Sequence, residues 1–348
     1  MMIPAFRLHA FVCCLSILFT FTAFSQKEPR FKHDSAYYKT YPTKLTARVY
    51  FSKKYTSLLL EGVDDTRALH FRPNTPVNIG VGATYRVLSL NLGVSLQWLN
   101  PNAAERGKTR FLDLQSHIYA PKWVIDLYGQ FYKGYYVSPR GYASSVPDQF
   151  YIRPDLRINM VGVSAYRLLK GERFSYRAAF LQNEWQTKSA GSFLFGGEFY
   201  TGSINADSAF VPKMLEADYS QRGIHRNNFT EFGPGIGYAY TAVINKHFFV
   251  TGSLTATADI SFVKEFNITG SASRTTVSPN ASLRGVLGYN SEKWIATLSW
   301  VNANTNLRGS SSNDQYLVRT GNFRVTLARR FELSKEMKEK LKIVERLQ

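Results

Sequence analysis

Side chains alternate with a period of two through most of this chain. Val77, Ile79, Val81, Ala83 and Tyr85 fall on one face, and Asn78, Gly80, Gly82, Thr84 and Arg86 on the other. Directly afterwards Leu88, Leu90, Leu92, Val94, Leu96 and Trp98 alternate with Ser89, Asn91, Gly93, Ser95 and Gln97. One face is apolar and its opposite is built from Gly, Ser, Asn and Gln. Repeated around a whole chain, that is the dyad pattern of a barrel with lipid outside and small polar residues inside. Twelve strands follow from it, over 45–58, 76–86, 88–98, 110–119, 123–137, 154–167, 173–184, 230–244, 248–262, 279–290, 293–303 and 316–331. A tilted strand crosses the hydrocarbon in about 9–11 residues, and nearly all of these segments are long enough. The expected fold is all-β, a transmembrane up-and-down antiparallel β-barrel of about twelve strands with a short C-terminal helix.

The connections set the orientation. Tight turns are expected around Val87, Ala120–Lys122, Leu169–Glu172, Asn245–Lys246 and Asn290–Lys293, and these belong on the periplasmic side. Between them run longer stretches rich in Gly, Asn, Asp, Ser and Pro, over 59–75, 99–109, 138–153, 185–229, 263–278 and 304–315. These face outward. Region 185–229 carries Phe193 to Gly202, strand-like in composition, and is read as a loop, either an outer hairpin or a constriction, with extra spanning strands as the alternative.

Residues 1–25 have the shape of a secretory signal: Arg7 and His9, an apolar run from Ala10 to Phe24, then Ala23 and Ser25 before a cleavage point at Gln26. Both cysteines, Cys13 and Cys14, lie inside it, so the mature chain offers no disulfide, zinc thiolate or thiol nucleophile. Residues 26–44 then form a periplasmic N-terminal segment, 45–331 the barrel and 332–348 an amphipathic tail. In that tail Leu333, Met337, Leu341, Val344 and Leu347 recur at three- and four-residue spacing. The expected location is the outer membrane of a Gram-negative bacterium after signal-directed export.

The formal net charge is +18. The basic residues are scattered rather than clustered and no nucleic-acid module is recognisable, so the expected partners are outer-membrane lipids and the phosphates of lipopolysaccharide, not nucleic acid. Aromatic residues make up 15% of the chain and gather near predicted strand ends, where rings with one wet edge settle at the headgroup level.

Four blocks resemble a known family: Leu45–Tyr55 (LTARVYFSKKY), Arg72–Tyr85 (RPNTPVNIGVGATY), Phe111–Gln115 (FLDLQ) and Ile125–Tyr136 (IDLYGQFYKGYY). They are similar to domain of unknown function 4421, a family of bacterial outer-membrane barrel proteins, over most of the mature chain. The resemblance implies a barrel of uncharacterised role and carries over no catalytic residues.

The densest inward polar cluster is expected on the hairpin 110–119/123–137. There Asp113, Gln115 and His117 share one face, and Asp126, Tyr128 and Gln130 share the facing one. Pro121 fixes φ near −65° and disfavours a two-residue primed turn, so a four-residue loop over 119–122 is expected. That register sets Gln115 across from Asp126 and Asp113 across from Tyr128, with His117 diagonal to Asp126. Arg177, Arg284 and Arg324 fall inward by parity near mid-depth, and Arg48, Arg86 and Arg157 nearer the rims. These arginines favour an anion, or pair with Asp113, Asp126, Asp259 or Glu198 and fill the lumen. No metal-spaced histidines and no cofactor motif occur, and no catalytic residue is assigned. Three functions remain open: a pore or binding barrel for a small polar or anionic solute, a structural or adhesive barrel acting through its outer loops, and a lipid-modifying enzyme based on His117. The enzyme reading is weakened because Ser116 points to the opposite face.

Overall fold

The computed structural model describes residues 31–334 and 336–337, apart from 65, 87, 101 and 311–314. The expected signal and most of the expected C-terminal helix lie outside the described residues. The described residues from Asp34 onward belong to one compact unit.

Fifteen strands are described: β1 (Tyr38–Thr40), β2 (Lys44–Leu60), β3 (Leu69–Arg72), β4 (Asn78–Tyr85), β5 (Leu88–Ser95), β6 (Arg110–Tyr119), β7 (Trp123–Ser138), β8 (Ile152–Leu168), β9 (Glu184–Gln186), β10 (Ala190–Asn205), β11 (Arg226–Ile244), β12 (Phe248–Asn267), β13 (Gly270–Asn290), β14 (Trp294–Arg308) and β15 (Gln315–Glu332). Neighbouring strands pair antiparallel, and β15 returns to β2 from Glu332↔Lys44 to Tyr316↔Leu60. That last ladder joins the final strand to the first long one. In hydrocarbon every backbone N–H and C=O must be met internally, and a closed sheet is the only way strands achieve it.

Burial confirms the dyad. Along β12 the pattern alternates without a break from Phe248 to Glu265, with Thr251, Ser253, Thr255, Thr257, Asp259 and Ser261 buried and Val250, Leu254, Ile260 and Phe262 exposed. β12 and β13 run 20 and 21 residues, and their hairpin turns only at Ile268–Thr269, where Asn267 Oδ1 accepts from the Thr269 and Gly270 amides. The expected loop 263–278 is therefore mostly wall.

The seventh spanning strand is not where parity placed it. Residues 173–184 do not span. They contain a short helix, Tyr176–Phe180, and the start of β9, while β10 in the expected loop 185–229 pairs along its length with β11 and β8. One strand leaves the count and another enters, so twelve long strands remain.

The ring is complete only at the end that carries the long loops. There β3 bridges β2 (Leu58↔Phe71) and β7 (Phe71↔Val137), closing ten strands. Toward the end with the tight turns, β4 pairs with β2 and β5 with β4, while β6 pairs with β7. β5 and β6 share no ladder among the described residues, and every residue from Leu90 to Ser95 is exposed, whichever face it takes. A seam runs between two strand edges in this half of the wall.

Candidate functional site

The loop end of the barrel is filled by an apolar core. Phe210, Val211, Leu215, Tyr219 and Ile224, from the connection after β10, pack against inward Leu58, Leu60, Phe71, Leu156, Ile158 and Tyr316 from the wall. Arg153 anchors this cap, gripping Asp155 with two nitrogens at 2.9 Å and donating to the Ala209 and Phe210 carbonyls at 2.8 and 3.2 Å. The inward face here is apolar, so parity alone misassigns it. Arg157, expected inward, is exposed on the outside of β8, whose inward residues are Leu156, Ile158 and Met160.

The turn end is closed by the segment 169–189. Ser175 caps its helix by accepting from the Ala178 amide at 3.0 Å, and the Tyr176 and Phe180 rings stack at 4.6 Å, one helical turn apart. Wall groups from all sides then hold the plug. Arg48 donates to the Leu181 carbonyl at 2.8 Å, Arg330 to those of Gln182 and Glu184 at 3.0 and 2.8 Å, and Asn290 to that of Glu184 at 3.0 Å. Trp185 Nε1 donates to the Lys246 carbonyl at 2.8 Å, and Tyr176 Oη to Ser253 at 3.1 Å. Beneath it β1 pairs with β9, and the Tyr38 hydroxyl donates to the Gly171 carbonyl at 3.0 Å. Burial, reinforced by Glu184, raises that phenol well above its ordinary pKa.

Arg177 is accordingly no lumen-wall residue. It sits on the plug helix, paired with Glu184 at 3.1 Å and donating to the Arg86 carbonyl.

Between cap and plug lies a polar chamber. The β6–β7 turn uses two residues, Pro121 and Lys122, since Ala120 and Trp123 exchange both backbone hydrogen bonds. Lys122 keeps a negative φ, so Pro121 meets no obstacle to this turn. The ladder shifts by two from the expected register: His117 faces Asp126, Gln115 faces Tyr128 and Asp113 faces Gln130. His117 Nδ1 lies 2.6 Å from Asp126 Oδ1, which also accepts from the Tyr119 hydroxyl at 3.0 Å. Arg284, inward on β13, reaches across the lumen to Asp126 Oδ2 at 2.5 Å and to Tyr119 at 3.0 Å, with Tyr128 at 3.5 Å. Asp126 is fully buried, so these donors supply what water cannot. Among the described residues no serine hydroxyl bonds to His117, and exposed Ser116 faces outward, so the pair lacks a nucleophile.

Asp113 accepts from Lys54 at 3.0 Å and from the Tyr132 hydroxyl at 2.6 Å. Gln130 is buried beside it, and neither of its amide atoms has a hydrogen-bond partner among the described residues. Across the chamber Glu198, Glu231 and Asp259 cluster without an ion pair among the described residues. Asn280 donates to Glu231 and Asp259 at 2.7 Å each, and Thr257 to Glu198 at 2.8 Å. Asp259 and Glu198 are expected in the lumen as partners for arginine; their grouping with Glu231 is not, because Glu198 lies on the unrecognised β10.

Arg324 makes no ion pair among the described residues. Its guanidinium lies 4.4 Å from the Tyr50 ring centroid, and it lines a cavity of about 390 Å³ with Lys54, Asp113, Gln115, His117 and the β5 residues Asn91 to Gly93. That cavity lies at the seam, where β5 and β6 face each other unpaired.

The family model described as Domain of unknown function (DUF4421) matches residues 32–331. No curated protein matches the chain. Among solved structures, the outer membrane protease OmpT of Escherichia coli is similar at 10% identity and a TM-score of 0.39, over 84% of this chain and 98% of that one. OprG of Pseudomonas aeruginosa, an outer membrane protein, is similar at 9% identity and a TM-score of 0.24, over 87% and 99%. The toluene transporter TodX of P. putida is similar at 7% and 0.25, over 84% and 92%.

Proposed function

We propose, for a chain that belongs to this family of unknown function, that it is an outer-membrane binding barrel whose polar chamber receives a small anionic amphiphile through the wall. One observation carries the reading: both ends of the lumen are filled, while the one stretch without a wall ladder among the described residues opens onto Arg324. On this reading cap and plug among the described residues block free diffusion along the lumen. A sheet edge facing lipid leaves backbone groups unmet, so the β5 and β6 edges are where a lipid-borne molecule gains hydrogen bonds by entering. Arg324, which makes no ion pair among the described residues and lies beside the Lys54–Asp113 pair, supplies the charge for an anionic head, and Leu92, Leu112 and Leu114 offer apolar surface at the rim.

Two measurements test it. In planar bilayers the intact protein is expected to show no steady conductance, whereas removal of residues 173–187 gives steps that favour anions. Dodecyl phosphate is expected to bind the intact protein at least tenfold more tightly than dodecyl trimethylammonium does, with the difference lost in Arg324→Gln. Steady conductance by the intact protein contradicts the closed-barrel reading, and equal binding of the two amphiphiles contradicts the anionic one.

A further inference from the structure

A second feature lies outside the barrel and is independent of the chamber. Along β15 the outward residues run Leu327, Val325, Phe323, Gly321 and Arg319 toward the loop end, so the apolar belt stops at Phe323. Neighbouring strands stop at the same level. On β14 Leu298 and Trp300 give way to Asn302, and on β2 Val49 and Phe51 give way to Lys53. Trp300 stacks on Phe323 at 5.9 Å, and its indole donates to the Tyr55 hydroxyl at 3.4 Å. Gly321 lets the Tyr55 ring lie across β15, since a Cβ there would meet its hydroxyl at 2.2 Å.

Over this aromatic shelf opens a groove of about 580 Å³ lined by Lys53, Arg72, Arg106 and Arg319 as well as Trp300 and Phe323. None of its described lining residues is a carboxylate, and none of the four cations is ion-paired among the described residues. Arg72 Nε donates to His70 at 3.2 Å, and Arg106 packs 5.5 Å from the Tyr136 ring with no hydrogen-bond partner for its Nε among the described residues. Four positive charges beside hydrocarbon are costly unless an anion accompanies them, and guanidinium forks match phosphate oxygens in pairs.

We propose that this groove binds the phosphorylated headgroup of a glycolipid in the surrounding leaflet, with the sugar and first acyl carbons resting on Trp300 and Phe323. The level of the groove argues for a lipid: it begins where the apolar belt ends, so a phosphate held there keeps its chains in the hydrocarbon beside Val325 and Phe51.

The test is native mass spectrometry of the intact protein in detergent, titrated with bisphosphorylated lipid A, the same lipid with both phosphates removed, and sodium pyrophosphate. The expected result is retention of one bisphosphorylated lipid, at least tenfold weaker retention of the dephosphorylated lipid and of pyrophosphate, and at least tenfold loss in Arg72→Gln/Arg319→Gln. Arg329→Gln, at the opposite rim over Trp294, is expected to bind as the parent does. Heat-dependent gel migration reports whether each variant keeps a closed barrel. Should the double variant lose it, Lys53→Gln at an exposed position serves in its place, with a threefold or greater loss expected. Equal retention of the dephosphorylated lipid, pyrophosphate binding as tight as the lipid, or full retention by the folded variants would overturn the proposal.

Discussion

Arg284 and Asp126 stand 158 positions apart and meet at 2.5 Å in the middle of the lumen, with side chains 6% and 0% exposed. The pair joins β13 to β7 across the barrel rather than along its wall, and it brings in Tyr119 and His117 on β6. A strut of this kind holds opposite walls at a fixed separation. It also helps to anchor the edge strand β6, whose one ladder among the described residues is with β7 and which Lys54 on β2 holds through Asp113.

Removing Arg284 leaves the buried Asp126 carboxylate with only His117 and Tyr119 as partners among the described residues. Arg284→Leu is expected to cost about 3–5 kcal/mol, and Asp126→Asn/Arg284→Gln substantially less than the sum of its single changes. Denaturant unfolding in lipid vesicles reads both values, and strict additivity would show that the two side chains do not interact.

Glycines on the inner and outer faces are expected to respond differently. A Cβ on Gly162 would lie 2.1 Å from the Tyr200 ring, whereas one on Gly252 meets nothing within 4 Å. Gly162→Ala is therefore expected to destabilise by about 1–3 kcal/mol through overpacking. Gly252→Ala is expected to be neutral or slightly stabilising, since alanine loses less backbone freedom on ordering. The same unfolding assay applied to both variants checks the contrast.

The lipid belt makes its own demand. Leu254 is 53% exposed near the middle of β12, while Ile268 at the hairpin tip is 93% exposed beyond the belt. Leu254→Arg is expected to cost about 2–4 kcal/mol because the guanidinium sits in hydrocarbon, and Ile268→Arg to show no measurable loss. Equal costs at the two positions would place the membrane elsewhere.

Strand identity was legible wherever side-chain size tracked facing. β12 was readable because Thr251, Ser253, Thr255, Thr257 and Ser261 point in while Val250, Leu254, Ile260 and Phe262 point out through its middle. β10 escaped because Gly191, Gly196, Gly197 and Gly202 dilute its alternation; the same glycines permit close packing, as at Gly196, where a Cβ would lie 1.9 Å from the Ala165 carbonyl. The plug escaped for the opposite reason. Tyr176, Ala178 and Phe180 alternate as a strand does, and only the four-residue spacing of the two rings signals the helix. Arg157 shows the remaining limit: period two separates two faces without saying which is inside, and under an apolar cap the usual rule inverts. Within the polar cluster the members were readable but their pairing was not, because a two-residue turn at Pro121 moves every partner by two.

Accessibility of the chamber tests the central claim most directly. Cys13 and Cys14 both lie in the first 25 residues, so with these removed Gln115→Cys is the sole thiol and Ile268→Cys serves as the exposed control. With the protein in sealed vesicles, a membrane-impermeant maleimide added to either side is expected to label Gln115→Cys at least a hundredfold more slowly than Ile268→Cys on its accessible side. A maleimide carried on a lipid chain is expected to label Gln115→Cys readily. Rapid labelling by the impermeant reagent from either side would contradict a chamber closed at both ends and reached through the wall.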